Sequence, residues 1–200
     1  MRILESINAR LDWNRPGRRA VQGGIGHAPR LVRASDWPAT SITVDGVPTT
    51  RITRLTESDW EHLAALRLRA LADTFGTAHQ QYLVEARFTP ADWRRRLRDH
   101  AQFVAVLAGQ PVGMIGAYQE SAETAYVYSL WLDPAARGRG LGRRLVTAAL
   151  NWARRRGVRT ATLRMAPDNA AARRVYEGLG FTEVPTGASA GEVVMRLTIR

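Results

Sequence analysis

Apolar and polar positions along the chain fall into two regimes. Up to about residue 48 there is little apolar periodicity, and turn-forming groups recur at Pro16-Gly17, Gly23-Gly24 and Trp37-Pro38. Such a segment buries too little apolar surface to offset its ordering entropy, so 1–48 is expected to be a flexible extension. Ile42-Thr43-Val44 followed by Asp45-Gly46 carries a hairpin signal inside it. From residue 49 the pattern is dense, and 49–200 is expected to form one domain.

Arg51-Ile52-Thr53-Arg54-Leu55 alternates as a half-buried strand does. Thr56, followed by Glu57-Ser58-Asp59, then opens a helix whose stripe is Trp60, Leu63, Ala64, Arg67, Leu68 and Leu71. Phe75-Gly76 breaks it. A short helix is expected over 77–86, and another from Thr89-Pro90 to Asp99. Strands follow at Gln102–Leu107, Pro111–Tyr118 and 124–132. Gly113 and Gly116 inside the second indicate a bulge or a close backbone approach. Leu141, Leu145, Val146, Ala149 and Trp152 mark a long amphipathic helix ended by Gly157. Residues 158–165 read as a strand, and Asp168 as the cap of a last helix carrying Ala172, Val175, Tyr176 and Leu179. Strands over 181–184 and 192–199 complete the chain. The order β-α-α-(α)-β-β-β-α-β-α-β-β predicts an α/β (mixed α+β) fold, a central mixed sheet with helices on both faces. Trp60 and Trp93 read as core residues.

Composition narrows the chemistry. The 200 residues hold 29 basic and 18 acidic side chains, a formal net charge of +11, and every basic one is Arg. With no Lys and no Cys, there is no Lys Schiff base, no thiolate nucleophile and no Cys-based metal site. His27, His62, His79 and His100 stand apart, without metal-ligand spacing, so no metal is expected. No apolar run approaches the roughly 20 residues of a membrane span, and a soluble, cytoplasmic protein is the expectation.

One segment needs a reason for its glycines. Gly138, Gly140 and Gly142 lie between a strand and the first turn of a helix, where glycine is a poor helix former. Bare backbone there lets N–H groups approach an anion, and the helix N-terminus adds unpaired donors and partial positive charge. Arg137, Arg139 and Arg143 add formal charge, so a phosphate or pyrophosphate site is expected. It is not the dinucleotide fingerprint, because Arg143 stands where G-x-G-x-x-G requires its last glycine.

In Arg137-Gly138-Arg139-Gly140-Leu141-Gly142 the sequence resembles the GCN5-related N-acetyltransferases, whose acetyl-CoA loop reads Gln/Arg-x-x-Gly-x-Gly/Ala. Asn169 to Tyr176 and on to Gly180-Phe181 resembles the same family's second motif. The likeness covers about residues 50–200 and includes the strand order. It implies roles for individual residues. The backbone of Leu130, Trp131 and Leu132 would pair with pantetheine. Gly138, Arg139, Gly140, Leu141, Gly142 and Arg143 would bind the pyrophosphate, with Arg137 at the loop entrance. Asn169 would hydrogen-bond the CoA arm, and Tyr176 would stand near the thioester sulfur.

The resemblance further implies direct attack of a neutral amine on the acetyl carbonyl, with no covalent enzyme intermediate. A phenol (pKa ~10) is a weaker acid than a thiol (~8.5), so Tyr176 would act chiefly by hydrogen-bonding the developing thiolate. The base departs from the better-known members. Many carry a Glu on the strand before the loop, where this chain has Tyr126-Val127-Tyr128-Ser129. In some protein N-terminal acetyltransferases the Glu precedes the motif Asn, at the position of Arg164 here. Glu123, with Glu120 beside it, and a water relay through Ser129 remain as candidates.

Two other readings stay open: an acetyl-CoA-binding module without catalysis, and a basic nucleic-acid-binding protein. Arg94-Arg95-Arg96 and Arg154-Arg155-Arg156 lie near helix ends, where cations suit the dipole, and read as solvated faces. No nucleic-acid motif accompanies the charge, which argues against the last reading. The acceptor amine is expected to be met by about 67–90 and 118–125. The assembly is left as monomer or homodimer.

Overall fold

Most helices begin where a side chain caps the first turn or the 3-10 turn that leads into it. The computed structural model describes residues 50–185 and 191–200, so the extension over 1–48 and the hairpin at 42–46 lie outside the described residues. Thr56 and Asp59 form a reciprocal capping box, the Thr56 N–H donating to Asp59 Oδ2 at 2.7 Å. A 3-10 turn, Glu57–Asp59, leads into α1, Trp60–Phe75. Thr89 and Asp92 repeat the box ahead of α3, Pro90–Asp99, with Pro90 in its first turn. Between them α2, Gln80–Glu85, starts from His79, whose Nδ1 accepts from the Gln81 N–H at 3.2 Å. The later helices are α4, Leu141–Arg155, and α5, Ala170–Glu177.

The cap of α5 corrects the sequence reading. It is Asn169, not Asp168: Asn169 Oδ1 accepts from the Ala172 N–H at 3.1 Å. Asp168 stands one residue too early for its side chain to satisfy that turn.

The strands are β1 Thr50–Arg54, β2 Ala101–Leu107, β3 Gln110–Gln119, β4 Thr124–Leu132, β5 Thr160–Met165, β6 Thr182–Val184 and β7 Val193–Thr198. They form one sheet in the order β1-β2-β3-β4-β5-β7-β6. Pairing is antiparallel except between β4 and β5. The β4-α4-β5 crossover therefore lays α4 along one face.

Strand alternation divides the core into two layers. Phe103, Ile115, Val127, Leu130 and Leu132 face α4 and α5, meeting Leu145, Val146, Ala149 and Tyr176. Val104, Val106, Met114 and Trp131 face α1 and α3, meeting Leu63, Leu71, Trp93 and Leu97. Both faces of β2, β3 and β4 are covered, which is why those strands read as nearly continuous apolar runs.

β4 carries the irregularity that matters. Gly113 and Met114 pair with Leu132 and Trp131, but Gly116 pairs with Tyr128, so β4 holds one extra residue there. Ser129 absorbs it with φ +54°, the left-handed region that a non-glycine residue rarely enters. The glycine signal on β3 is a close approach: a Cβ at Gly116 would lie 2.4 Å from Tyr128 Cζ. Glycine lets the Tyr128 ring lie flat on the neighbouring strand.

Candidate active site

The pairing of β4 with β5 stops early. Thr124, Ala125 and Tyr126 pair with Thr160, Ala161 and Thr162, after which β4 runs on to Leu132 without β5 beside it. From Val127 to Leu132 that edge of β4 offers N–H and C=O groups to a ligand lying along it, as an added strand would. Of the three residues expected there, Leu130 and Leu132 send their side chains into the α4 layer. Trp131 sends its indole the opposite way, donating from Nε1 to Asp73 Oδ2 at 2.9 Å. These residues can meet a ligand through backbone alone.

The open edge leads into the glycine loop. Gly138 and Gly140 have φ of +77° and +71°, and a Cβ at either would meet nothing within 4 Å. Backbone conformation, not crowding, is what demands glycine here. Gly140 caps α4, and Arg144 is the residue whose N–H bonds back to the Gly140 carbonyl, at 3.2 Å. The N–H groups of Leu141, Gly142 and Arg143 belong to the unpaired first turn. Such a set of unpaired donors is able to hold an anion.

Two arginines of the motif are anchors. Arg137 donates from Nε to the Leu132 carbonyl at 3.1 Å, and its Nη2 lies 3.4 Å from Asp73 Oδ2. Asp73 thus ties the loop entrance to Trp131. Arg143 Nη1 donates to the Gly178 carbonyl at 2.9 Å and so fixes the end of α5 beside the loop. Arg139 stands exposed at the loop tip. A cleft of about 310 Å³ runs beside α4, bordered by Ile52, Arg143, Arg144 and Asn151.

Tyr176 is 2% exposed on α5, against Phe181. Burial, and secondarily Tyr126, push its hydroxyl above the ordinary phenol range. It stays a neutral O–H, suited to donating a hydrogen bond and not to accepting a proton. Asn169 is buried, with Oδ1 engaged in capping. It stands about two turns before Tyr176, at the start of α5.

The candidate bases are separated. Glu123 is exposed on the turn before β4, where its carbonyl accepts from the N–H groups of Arg159 and Thr160. Ser129 is 5% exposed and accepts from Arg67 Nη1 at 2.8 Å. The two stand on opposite sides of the point where β4 and β5 part.

Arg67 belongs to a buried cluster that the sequence reading missed. Its Nε and Nη2 make a fork on both oxygens of Glu85, each at 2.9 Å. Arg96 Nη1 adds a third bond at 2.7 Å, and Gln81 Nε2 a fourth at 3.3 Å. Burial alone would raise the Glu85 carboxyl; the two guanidinium groups outweigh it and hold it at about 2. Arg96 corrects the reading of Arg94-Arg95-Arg96 as a solvated face, since it is 6% exposed and lies over Phe88 and Trp93. A signal was present in Arg67, a charge within the apolar stripe of α1, which required a buried acid. Nothing in linear sequence said that the acid was Glu85.

Beside this cluster, Tyr128 receives a hydrogen bond from Gln102 Nε2 at 2.7 Å and shares another with His100 Nδ1. Burial, then Arg96, hold His100 down at about 4. Burial pushes Tyr128 up to about 12, against the opposing pull of Arg96 and Arg67. Near neutral pH both groups are uncharged, and the Tyr128 hydroxyl and His100 Nδ1 share one hydrogen bond inside the buried layer.

Among the described residues no helix is long and apolar enough to cross a membrane, and no three His, Asp or Glu gather to hold a metal.

Comparison with known proteins agrees with this architecture. The model of the acetyltransferase (GNAT) family matches residues 60–181, from the start of α1 through the Gly180-Phe181 turn. A mycothiol acetyltransferase of Amycolatopsis mediterranei is 32% identical over 169 residues, 80% of this chain and 54% of that protein. The chain spans about half or less of the length of such curated relatives. The PaiA N-acetyltransferase of Thermoplasma acidophilum, solved in complex with coenzyme A, superposes with a TM-score of 0.61 at 16% identity, over 75% of this chain and 99% of that one. A putative acetyltransferase of Salmonella typhimurium, solved with acetyl-CoA, gives 0.58 at 22% identity, over 76% and 95%. At those identities the structural likeness is one of fold. The family match spans the parted strands, the glycine loop and α5 alike, and the chain belongs to the acetyltransferase (GNAT) family.

Proposed function

We propose that the protein is an acetyl-CoA-dependent N-acetyltransferase, passing acetyl directly to a primary amine of a small molecule or protein. One observation carries this reading: β4 parts from β5 after Tyr126 and runs, open-edged, into an anion cradle at the N-terminus of α4. An extended thiol arm ending in a pyrophosphate matches both features in sequence.

In this reading the backbone of Leu130, Trp131 and Leu132 pairs with pantetheine. The N–H groups from Gly138 to Arg143 hold the pyrophosphate. Arg137 shapes the loop through Asp73 and Leu132. Asn169 sets the pitch of α5, and Tyr176 presents its neutral hydroxyl to the sulfur. The amine nitrogen attacks the thioester carbonyl carbon, the C–N bond forms, the C–S bond breaks, and the sulfur leaves as thiolate. The proton shed by nitrogen ends on sulfur or in solvent. Ser129 is favoured over Glu123 as a water-positioning group, because it is buried and oriented by Arg67.

We assign residues 49–200 to the catalytic domain and 1–48 to an extension, in a cytoplasmic protein acting as monomer or homodimer. The acceptor of the mycothiol acetyltransferases belongs among the amines to be tried. Nucleic acid is not the expected partner, since a polyanionic cosubstrate accounts for basic groups at the loop. Thermal melting tests the cosubstrate: acetyl-CoA at 100 times its Kd should add about 2.7 kcal/mol of stability. A melting temperature unmoved at millimolar acetyl-CoA would overturn the assignment.

A further inference from the structure

Charge is unevenly divided along the chain. Between Pro134 and Pro167 stand nine arginines and no acid, whereas the rest of 50–200 has thirteen arginines against fourteen acids. The positive excess of 50–200 therefore lies in one stretch, made of the glycine loop, α4, the turn after it and β5. Of the nine, Arg137 pairs with Asp73 and Arg164 with Glu192. The other seven make no ion pair among the described residues. A pyrophosphate at the loop answers Arg139 and Arg143, at the N-terminal end of α4. It leaves the flank of α4 that faces β1 without an opposite charge.

That flank has a regular face. Arg144, Ala148, Asn151 and Arg155 recur at helical spacing, so they share a stripe. The cleft of about 310 Å³ runs along it, with Ile52 of β1 as the opposite wall and Thr147 beside Ala148. Arg144 stands at one end, and Arg155 stands exposed one turn beyond Asn151 at the other. The two are about 16 Å apart along the helix axis. An extended chain covers that length in about five residues.

β1 offers a matching edge. It is the first strand of the sheet, and its outer edge pairs with no strand among the described residues. The Leu55 N–H donates to the Gln102 carbonyl at 2.9 Å, so alternation turns the N–H and C=O groups of Ile52 and Arg54 outward. The Thr50 carbonyl, on the same edge, accepts from Arg144 Nη2 at 2.9 Å. The strand is five residues long, Thr50–Arg54.

Three observations select an occupant. A free strand edge is completed by peptide backbone and not by a sugar–phosphate chain. Bases stack on exposed aromatic rings, and among the described residues the exposed large apolar side chain is Leu83, on α2. Residues 1–49 carry seven arginines against four acids, and a second copy has the same excess, so neither supplies the opposite charge.

We propose that the groove between α4 and β1 docks an extended acidic segment of a partner protein, about five residues long. The segment adds to the outer edge of β1. Its first, third and fifth side chains turn toward α4. A carboxylate at each end meets Arg144 and Arg155, and a small apolar side chain between them meets Ile52 and Ala148. No group is transferred at this surface, and the docking does not depend on acetyl transfer.

The probe is the peptide Glu-Thr-Val-Thr-Glu, blocked at both ends so that it has no amine to be acetylated. It is titrated into the full chain and followed by amide NMR. Shifts are expected to be confined to 50–54 and 144–155, with slowed exchange at the Ile52 and Arg54 N–H groups. The analogue Gln-Thr-Val-Thr-Gln should bind at least about tenfold more weakly. Arg155 makes no side-chain hydrogen bond among the described residues, so Arg155→Gln leaves the fold intact. It should weaken the acidic peptide about threefold, and Arg144→Gln with Arg155→Gln about tenfold. Added salt should weaken binding as well. Stabilisation by acetyl-CoA should be the same in both variants as in wild type. No shift at millimolar peptide, or equal affinity for the two peptides, overturns the docking surface. A short mixed-sequence RNA that shifts these residues where the acidic peptide does not overturns it in favour of nucleic acid. Loss of acetyl-CoA stabilisation in Arg155→Gln would assign that arginine to the cosubstrate and overturn it equally.

Discussion

Arg67 on α1 donates to the hydroxyl of Ser129 at 2.8 Å, and Ser129 is the left-handed residue at the bulge of β4. The same guanidinium grips Glu85 of α2, which also receives Arg96 of α3. Three helices are thus fastened to the one irregular point of the strand whose open edge leads to the glycine loop. A strained residue persists only when its surroundings over-determine it, and this cluster supplies that determination.

The charges of the cluster make its variants unequal. Glu85→Gln leaves two buried guanidinium groups facing each other without an acid and should cost about 3–5 kcal/mol. Arg67→Met leaves a balanced Glu85–Arg96 pair and should cost clearly less. Urea unfolding of both variants checks the order; equal losses would show that the cluster does not act as an ion network.

Acid should lower the stability of the protein in two stages. His100 is held at about 4 against an ordinary 6.5, so between those values the unfolded chain binds more protons. Its contribution is complete above 6.5 and lost as pH falls to about 4. Glu85 is held at about 2 against an ordinary 4.5, so its contribution is lost as pH falls from about 4.5 to about 2. Stability measured against pH should lose its upper step in His100→Gln and its lower step in Glu85→Gln. A wild-type curve flat between pH 6.5 and 4 would contradict the buried neutral imidazole.

Gly116→Ala should destabilise by about 1–3 kcal/mol. The added Cβ falls 2.4 Å from Tyr128 Cζ, and hydrogen bonds to His100 and Gln102 hold that ring. Tyr128→Ala in the same background should recover part of the loss, which a double-mutant cycle measures.

Two variants separate binding from turnover. Gly140→Glu should abolish acetyl-CoA binding, because it forces a side chain into a backbone at φ +71° and places a negative charge in the anion cradle. Tyr176→Phe should leave acetyl-CoA affinity within about twofold and lower kcat by about 10²-fold or more. Calorimetric titration and steady-state rates check the pair; wild-type kcat in Tyr176→Phe would remove that hydroxyl from the mechanism.

Much of this was legible in local sequence, and the reasons can be named. Thr56 and Thr89 announced their helices because capping is decided within one turn. Gly138 and Gly140 announced the turn before α4 because left-handed backbone there suits glycine above other residue types. What escaped was set by distant partners. Arg67 and Glu85 are 18 residues apart and meet only after α1 and α2 fold together. Ser129 takes its conformation from a register shift against β3, which no window along β4 contains. The side-chain direction of Trp131 follows from the same shift.

Thiol release tests the central claim most directly. Purified protein, acetyl-CoA and a panel of alkyl amines are followed for free CoA, with acetylated amine counted by mass spectrometry. The predicted result is CoA and amide appearing one for one with at least one amine, and both abolished in Gly140→Glu. Protein that binds acetyl-CoA yet releases no thiol above its slow hydrolysis with any amine would contradict catalysis and leave a binding module.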